Sequence, residues 1–339
     1  MQTLKMQAPG IQYRLAILTC LLAFAVILMG AYVRLSHAGL GCPDWPGCYG
    51  RLLVPADSSA VGEDFGGRPL HSGKAWKEMI HRYLAGTLGL AILWLALLAW
   101  GHRKLPDQPR LLPALLLALV LLQAALGMWT VTLLVKPAIV TAHLLGGFAT
   151  FMLLWLLVLQ LSPTRKTRSE ISFDAQWPRA HLWLALLALI LQISLGGWTS
   201  SNYAALGCSE FPTCYGGQWW PTMDFKEAFV IWRGLGVNYE YGVLDNAART
   251  AVHMTHRFGA LLVLLLVGSL ALRLIGHRDR PTLSRMGWLL MALLAVQIGL
   301  GVSNVLGHLP IAVAVAHNGG AALLLLTLVT LLWLSKHHA

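Results

Sequence analysis

The chain has 339 residues, of which 57% are hydrophobic and only 12% charged, against roughly 25% charged in a soluble domain. That composition excludes an ordinary soluble globular protein. The formal net charge of +11 would suit a nucleic-acid binder, but the basic residues sit in short clusters between apolar stretches, which is an orientation signal for a membrane protein.

A span needs about 20 mostly apolar residues. The candidates, in chain order, are residues 15–34, 79–100, 111–133, 138–161, 181–201, 251–275, 286–306 and 310–334. Lipid offers no partner to open backbone groups, so each is predicted to be a helix. The expected fold class is all-α integral membrane with eight transmembrane helices. Lys5 and Arg14 precede the first span, and Arg103, Lys104 and Arg110 follow the second. Arg165, Lys166, Arg168 and Arg179 follow the fourth, Arg273, Arg278, Arg280 and Arg285 lie around the sixth connection, and Lys336 is near the C-terminus. The third connection has only Lys136, and the seventh has no Lys or Arg. The positive-inside rule then places both termini and the even-numbered connections in the cytoplasm. The apolar run from Leu15 is longer than a signal h-region and lacks a clear cleavage site, so no cleavable leader is expected. A bacterial plasma membrane suits the chain better than an organelle.

Of five cysteines, Cys20 stands alone inside the first span as a small packing residue. The others form two pairs, Cys42/Cys48 and Cys208/Cys214, in connections expected to face outside, where disulfides persist. A metal site is the rival reading, although no histidine sits at zinc-like spacing within either loop.

An internal repeat organises the chain. Gly41-Cys-Pro-Asp-Trp-Pro-Gly-Cys-Tyr-Gly50 matches Gly207-Cys-Ser-Glu-Phe-Pro-Thr-Cys-Tyr-Gly216, and Glu78-Met-Ile-His-Arg-Tyr83 matches His253-Met-Thr-His-Arg-Phe258. His143 and His317 share a His-x-x-Gly core, and Gln123…Gly127 resembles Gln297…Gly301. Each half holds four spans, so the halves should share one orientation about an axis along the membrane normal. The expectation is two pseudo-symmetric four-helix bundles, residues 1–165 and 166–339, divided in the basic connection 162–178. The long connections 36–77 and 202–250 read as ordered caps.

An ionisable side chain inside a span is costly and by default marks function. His81, His143, His256 and His317 each lie near the outer start of an even-numbered span. Those spans run in one direction, so His81 and His143 should sit at similar depth, and likewise His256 and His317. Two imidazoles facing each other across a bundle can hold a heme iron from both sides. The alternative for any one of them is a helix–helix hydrogen bond. Imidazole also suits copper and zinc, but two histidines without a nearby carboxylate or thiolate set make a poor zinc site. Arg82 and Arg257 follow two of the candidates and either pair with heme propionates or snorkel to the interface. His37, His71, His102, His181, His277, His308, His337 and His338 are given no role.

The run Arg34-Leu-Ser-His-Ala-Gly-Leu-Gly-Cys-Pro-Asp-Trp-Pro46, then Glu78-x-x-His81-Arg82, His143, His256-Arg257 and His317, resembles the heme A synthase family over nearly the whole chain. The resemblance implies oxidation of the C8 methyl of heme O to a formyl group, through an alcohol, giving heme A for cytochrome oxidase. It implies a permanent heme b in the C-terminal half, with His256 and His317 as ligands. It implies substrate heme in the N-terminal half, held by His81 and His143, with Glu78 as the essential acidic residue. The first cysteine pair is linked to activity in the family, and heme O synthase is the upstream partner that the resemblance suggests.

The residues themselves add an asymmetry, since Glu78 corresponds to His253. Glu78 shares a helix face with His81 and could accept a proton or steady a cation beside the reacting carbon. Its bland reading is an interfacial charge paired with Lys77 or Arg82. His253 is expected near the heme b propionates or as a helix cap, not as a ligand. Arg34, Asp44 and Trp45 are candidates to contact a propionate or fold a cap over the substrate. The alternative function is a two-heme membrane electron-transfer cytochrome, which would not need unequal halves. Membrane lipid, an electron acceptor and a homo-oligomer are compatible partners, and nucleic acid is not.

Overall fold

The computed structural model describes residues 8–57, 65, 68–105, 108–163 and 179–336. Among these residues the chain forms helices α1 (Ala8–Leu35), α2 (Ser72–Gly101), α3 (Leu111–Thr132), α4 (Pro137–Leu161), α5 (Arg179–Ser201), α6 (Phe225–Ala228), α7 (Asn246–Gly276), α8 (Pro281–Leu306) and α9 (Ile311–Lys336). Eight of them, all but α6, are long and apolar enough to cross a membrane, so the protein is a multi-pass membrane protein. The expected division at residue 165 falls outside the described residues, as do Lys5, Lys166, Arg168, His337 and His338.

The helices α2 and α7 start at Ser72 and Asn246, earlier than the apolar windows beginning at residues 79 and 251. Hydropathy marks where a helix meets lipid, not where it begins. The added turns are polar and continue beneath the disulfide loops. Asp245 starts α7 by accepting the Ala248 N–H at 2.8 Å, the usual role of an N-cap aspartate. Pro137 and Pro281 open α4 and α8, where a missing N–H is harmless.

Four helices end alike. After α1, α3, α5 and α8 the chain turns through left-handed residues, at His37 (φ 51°), Leu134 (54°), Tyr203 (55°) and His308 (55°). The paired bonds Ala38 N–H to Val33 C=O and His37 N–H to Arg34 C=O recur as Val135–Thr130 with Leu134–Val131, Ala204–Thr199 with Tyr203–Ser200, and Leu309–Asn304 with His308–Val305. These are Schellman closures, usually built on glycine. Here a larger residue takes the strained position every time.

Helix contacts run α1–α2–α3–α4 and back to α1, and α5–α7–α8–α9 and back to α5. Between the two rings lie contacts of α1 with α9, and of α4 with α5 and α9. One apolar core threads them all, including Ile92, Leu116, Phe151, Leu154, Leu182, Leu270, Leu290 and Leu328. Trp155 donates to Thr330 Oγ1 at 2.8 Å across the seam, which satisfies an indole N–H that lipid could not. The outward Leu18, Leu90, Trp94, Leu187, Leu265 and Trp288 are exposed, as a lipid-facing surface requires.

Candidate heme site and its caps

The four candidate histidines lie on α2, α4, α7 and α9, and each ring rests against a glycine of the preceding span. A Cβ added at Gly30 would lie 3.0 Å from His81 Cε1, at Gly127 3.4 Å from His143, at Gly196 3.3 Å from His256, and at Gly301 3.2 Å from His317. Small residues let two helices approach closely, and here they leave space for an imidazole. His81 and His143 are near enough to interact electrostatically, and so are His256 and His317. All four line a single cavity of about 1670 Å³, walled largely by Leu, Val, Ala and Gly. That exceeds the roughly 300–1,000 Å³ of ordinary small-molecule pockets.

These residues fit heme. The buried Nδ1 of His81 has no hydrogen-bond partner, so its ring is held by packing, and the His143 ring faces the Gln123 backbone carbonyl. Among the described residues no three His, Cys, Asp or Glu side chains gather into a metal cluster, which disfavours a four-coordinate zinc site.

Above the histidines sit the two cysteine loops, and both disulfides are formed, Cys42–Cys48 and Cys208–Cys214. Cys20 is free and buried. In the first loop the Cys42 N–H donates to Glu78 Oε2 at 2.9 Å, and Arg82 pairs with Glu78 Oε1. Arg82 also donates to the carbonyls of Asp44, Pro46 and Gly47. Asp44 in turn accepts the N–H groups of Tyr49 at 2.6 Å and Gly50 at 2.9 Å. In the second loop the Cys208 N–H donates to His253 Nδ1 at 3.1 Å, and Arg257 Nε lies 3.3 Å from His253 Nε2. Arg257 also donates to the carbonyls of Glu210, Pro212 and Thr213. Glu210 accepts from Gly216 at 2.8 Å, Gly217 at 3.1 Å and Thr213 at 3.0 Å. Bonds from Gly217, Thr213 and Gly216 hold its carboxyl below the usual range.

Both arginines are therefore occupied in tying loops to helices, although each still lines the cavity. The pairing of Glu78 with Arg82, foreseen as its bland reading, is present. His253 is not a helix cap, because α7 begins well before it; it is the counterpart of Glu78 as a loop anchor. Glu210 does for the second loop what Asp44 does for the first. Trp45 and Phe211 both line the cavity.

Arg34 reaches across the seam. It donates to the Ser200 carbonyl, lies 4.1 Å over the Tyr203 ring, and its buried Nε has no partner. The His37 ring stacks on Tyr203 at 5.5 Å and meets Tyr241 at 5.3 Å. Burial, then the nearby Arg34 and Lys74 charges, push the His37 pKa down, against a smaller opposing effect of Glu240.

After the second cysteine loop, the stretch from Gln218 to Asn246 carries no motif that predicts it. It crosses to the other ring: the Tyr239 N–H donates to the Leu134 carbonyl at 3.2 Å, and Lys74 Nζ donates to the Tyr241 hydroxyl at 3.2 Å. Lys136, only 2% exposed, donates to the Gly234 carbonyl and lies against the Trp232 ring. Its signal in the sequence was a lone lysine in an otherwise uncharged short connection.

A family model described as cytochrome oxidase assembly protein matches residues 13–329. The chain is similar to a heme A synthase of Shewanella oneidensis, 47% identical over 323 residues, covering 94% of this chain and 95% of that protein. It is also similar to heme A synthases of Bacillus cereus, 25% identical with 90% and 86% covered, and Bacillus licheniformis, 25% identical with 89% of each covered.

Proposed function

The chain belongs to the cytochrome oxidase assembly protein family, and from that premise we propose that it is a heme A synthase, a membrane oxidoreductase that converts the C8 methyl of heme O to the formyl group of heme A. The observation that carries this reading is the presence of two histidine pairs in one apolar cavity, with the Glu78 carboxylate beside one pair and His253 at the matching place beside the other. Residues 1–165 then form the substrate half and residues 166–339 the cofactor half, as two related four-helix bundles.

In this reading His256 and His317 hold heme b, which supplies one-electron chemistry when bound. His81 and His143 hold the substrate, heme O, and thereby fix the distance between its methyl edge and Glu78. Taking a methyl to an aldehyde with water as the oxygen source gives up four electrons, which pass to the proposed electron acceptor, and four protons, for which we assign Glu78 as the receiving group. Each of its oxygens already accepts one bond, but a carboxylate has about four lone-pair sites, so capacity remains. Arg82 and Arg257 serve the caps, while Arg34, with its unpartnered Nε, is assigned to a propionate. The bacterial plasma membrane is the proposed location, with both termini cytoplasmic. Heme O synthase and an electron acceptor are the proposed partners.

The test is extraction of the hemes from purified protein, with chromatography and mass measurement. Heme b accompanied by heme O, its alcohol or heme A is expected. Heme b alone, after expression with heme O available, would leave an electron-transfer cytochrome instead.

A further inference from the structure

The four histidine positions share more than the glycine beneath each ring. At three of them a glutamine stands four residues before that glycine, and a second glycine stands three residues after the histidine: Gln123 with Gly146, Gln192 with Gly259, Gln297 with Gly320. The paired residues are in contact. A Cβ at the second glycine would lie 1.8, 2.1 and 2.2 Å from the respective glutamine amide, so glutamine and glycine require each other.

Their grip is graded. Gln192 donates to the His256 backbone carbonyl at 2.9 Å, and its amide nitrogen lies against the His256 ring, 3.1 Å from Nδ1 and 3.4 Å from Nε2. Gln297 donates its side-chain amide to the His317 backbone carbonyl at 2.9 Å, and the Gln297 backbone carbonyl lies 3.2 Å from His317 Nδ1. Gln123 packs on Gly146 with its amide nitrogen unpartnered, while the His143 ring faces the Gln123 backbone carbonyl. At His81 the pair is missing altogether. Val26 and Leu84 hold the two places, neither side chain can hydrogen-bond, and the His81 Nδ1 is buried without a partner.

We propose that the glutamine–glycine pairs are positioning elements that lock three histidines onto their irons, and that His81, which lacks one, is the ligand that lets go. This rests on the proposed heme ligation and deepens it. Outer-shell partners of a ligating imidazole fix its orientation and strengthen its bond to the metal. A histidine that has neither the glutamine nor the glycine beside it is the one that can leave. The substrate site then has one firm ligand, His143, and one releasable one, so that heme can enter and leave and a coordination position can open. The heme b site has two firm ligands, as a permanent cofactor needs.

Carbon monoxide tests this on the purified, heme-loaded, reduced protein, because it binds only an iron with a free position. The first-half heme is identified as the one lost in His143→Ala. In the wild type it alone should give a carbon monoxide spectrum. Installing the missing pair, with Val26→Gln and Leu84→Gly together, should slow that reaction about ten-fold or more. Removing a pair, with Gln192→Leu, should make the heme b reactive. The proposal is overturned if wild-type hemes both react or both stay inert, or if the installed pair leaves the rate unchanged. Should the double variant lose its heme, an inert heme b in Gln192→Leu overturns it. Failure of the underlying ligation is seen before any gas is added, as protein without heme or heme spectra unaffected by the histidine variants.

Discussion

In the first half the N–H of Cys42 finds a carboxylate, and in the second the N–H of Cys208 finds an imidazole nitrogen. An arginine one turn later, Arg82 or Arg257, braces that acceptor and collects three loop carbonyls. The scaffold thus asks only for a hydrogen-bond acceptor at this position, and a neutral ring meets the demand. A buried charge, only 4% exposed at Glu78, is a costly way to do the same thing. We assign its presence in one half alone to chemistry rather than to folding.

The comparison can be broken at several points. Removing an iron ligand should have the largest effect: His256→Ala or His317→Ala should empty the second-half heme site, read as loss of the heme b spectrum. An unchanged spectrum in both variants would end the ligand assignment. Next, Glu78→His copies the second half into the first. It should keep the loop and the bound heme but lower heme A formation by about 10²-fold or more, the usual scale of general acid–base catalysis. A variant that makes heme A at the normal rate would show that the carboxylate is dispensable. The reciprocal His253→Glu should retain heme b and gain no new product.

Smaller effects concern the caps. Cys42→Ser with Cys48→Ser, or Cys208→Ser with Cys214→Ser, should each cost about 2 kcal/mol, the loop-closure entropy of so short a ring. Thermal unfolding in detergent would reveal any inequality between the two loops. The smallest is a pH effect at His37. Its pKa in the folded chain lies below the ordinary 6.5, so the unfolded chain binds more protons just beneath that value. Stability is then full above about pH 6.5 and declines as the pH falls towards the folded value. Unfolding midpoints at pH 7.5 and 5.5 should differ less in His37→Gln than in the wild type.

Much of this was legible beforehand. The spans announced themselves through long apolar runs, and the four histidines and both cysteine pairs through repetition. What stayed hidden depended on contacts between distant segments. The sequence suggested Arg82 and Arg257 as propionate partners or snorkelling residues and missed their hold on the loops, because the loop carbonyls that occupy them carry no residue-type signal. Hydropathy missed the first turns of α2 and α7, which are polar yet packed. Lys136 read as one charge in a short connection, since nothing local says that the Gly234 carbonyl will come to meet it. The glutamines looked like two similar stretches until their amides were seen lying on glycines.

The crossing of the α5–α7 segment onto the first ring has a consequence for dissection of the molecule. Tyr241 helps to enclose the cavity beside His37 and Val135, so part of the roof over the N-terminal chamber is encoded in the other half. A fragment ending after α4 would strand the Lys136 ammonium without its carbonyl and leave the chamber unlidded. The ancestry of a repeat can be duplication, but here the copies have become mutually dependent, and neither should be expected to work when expressed by itself.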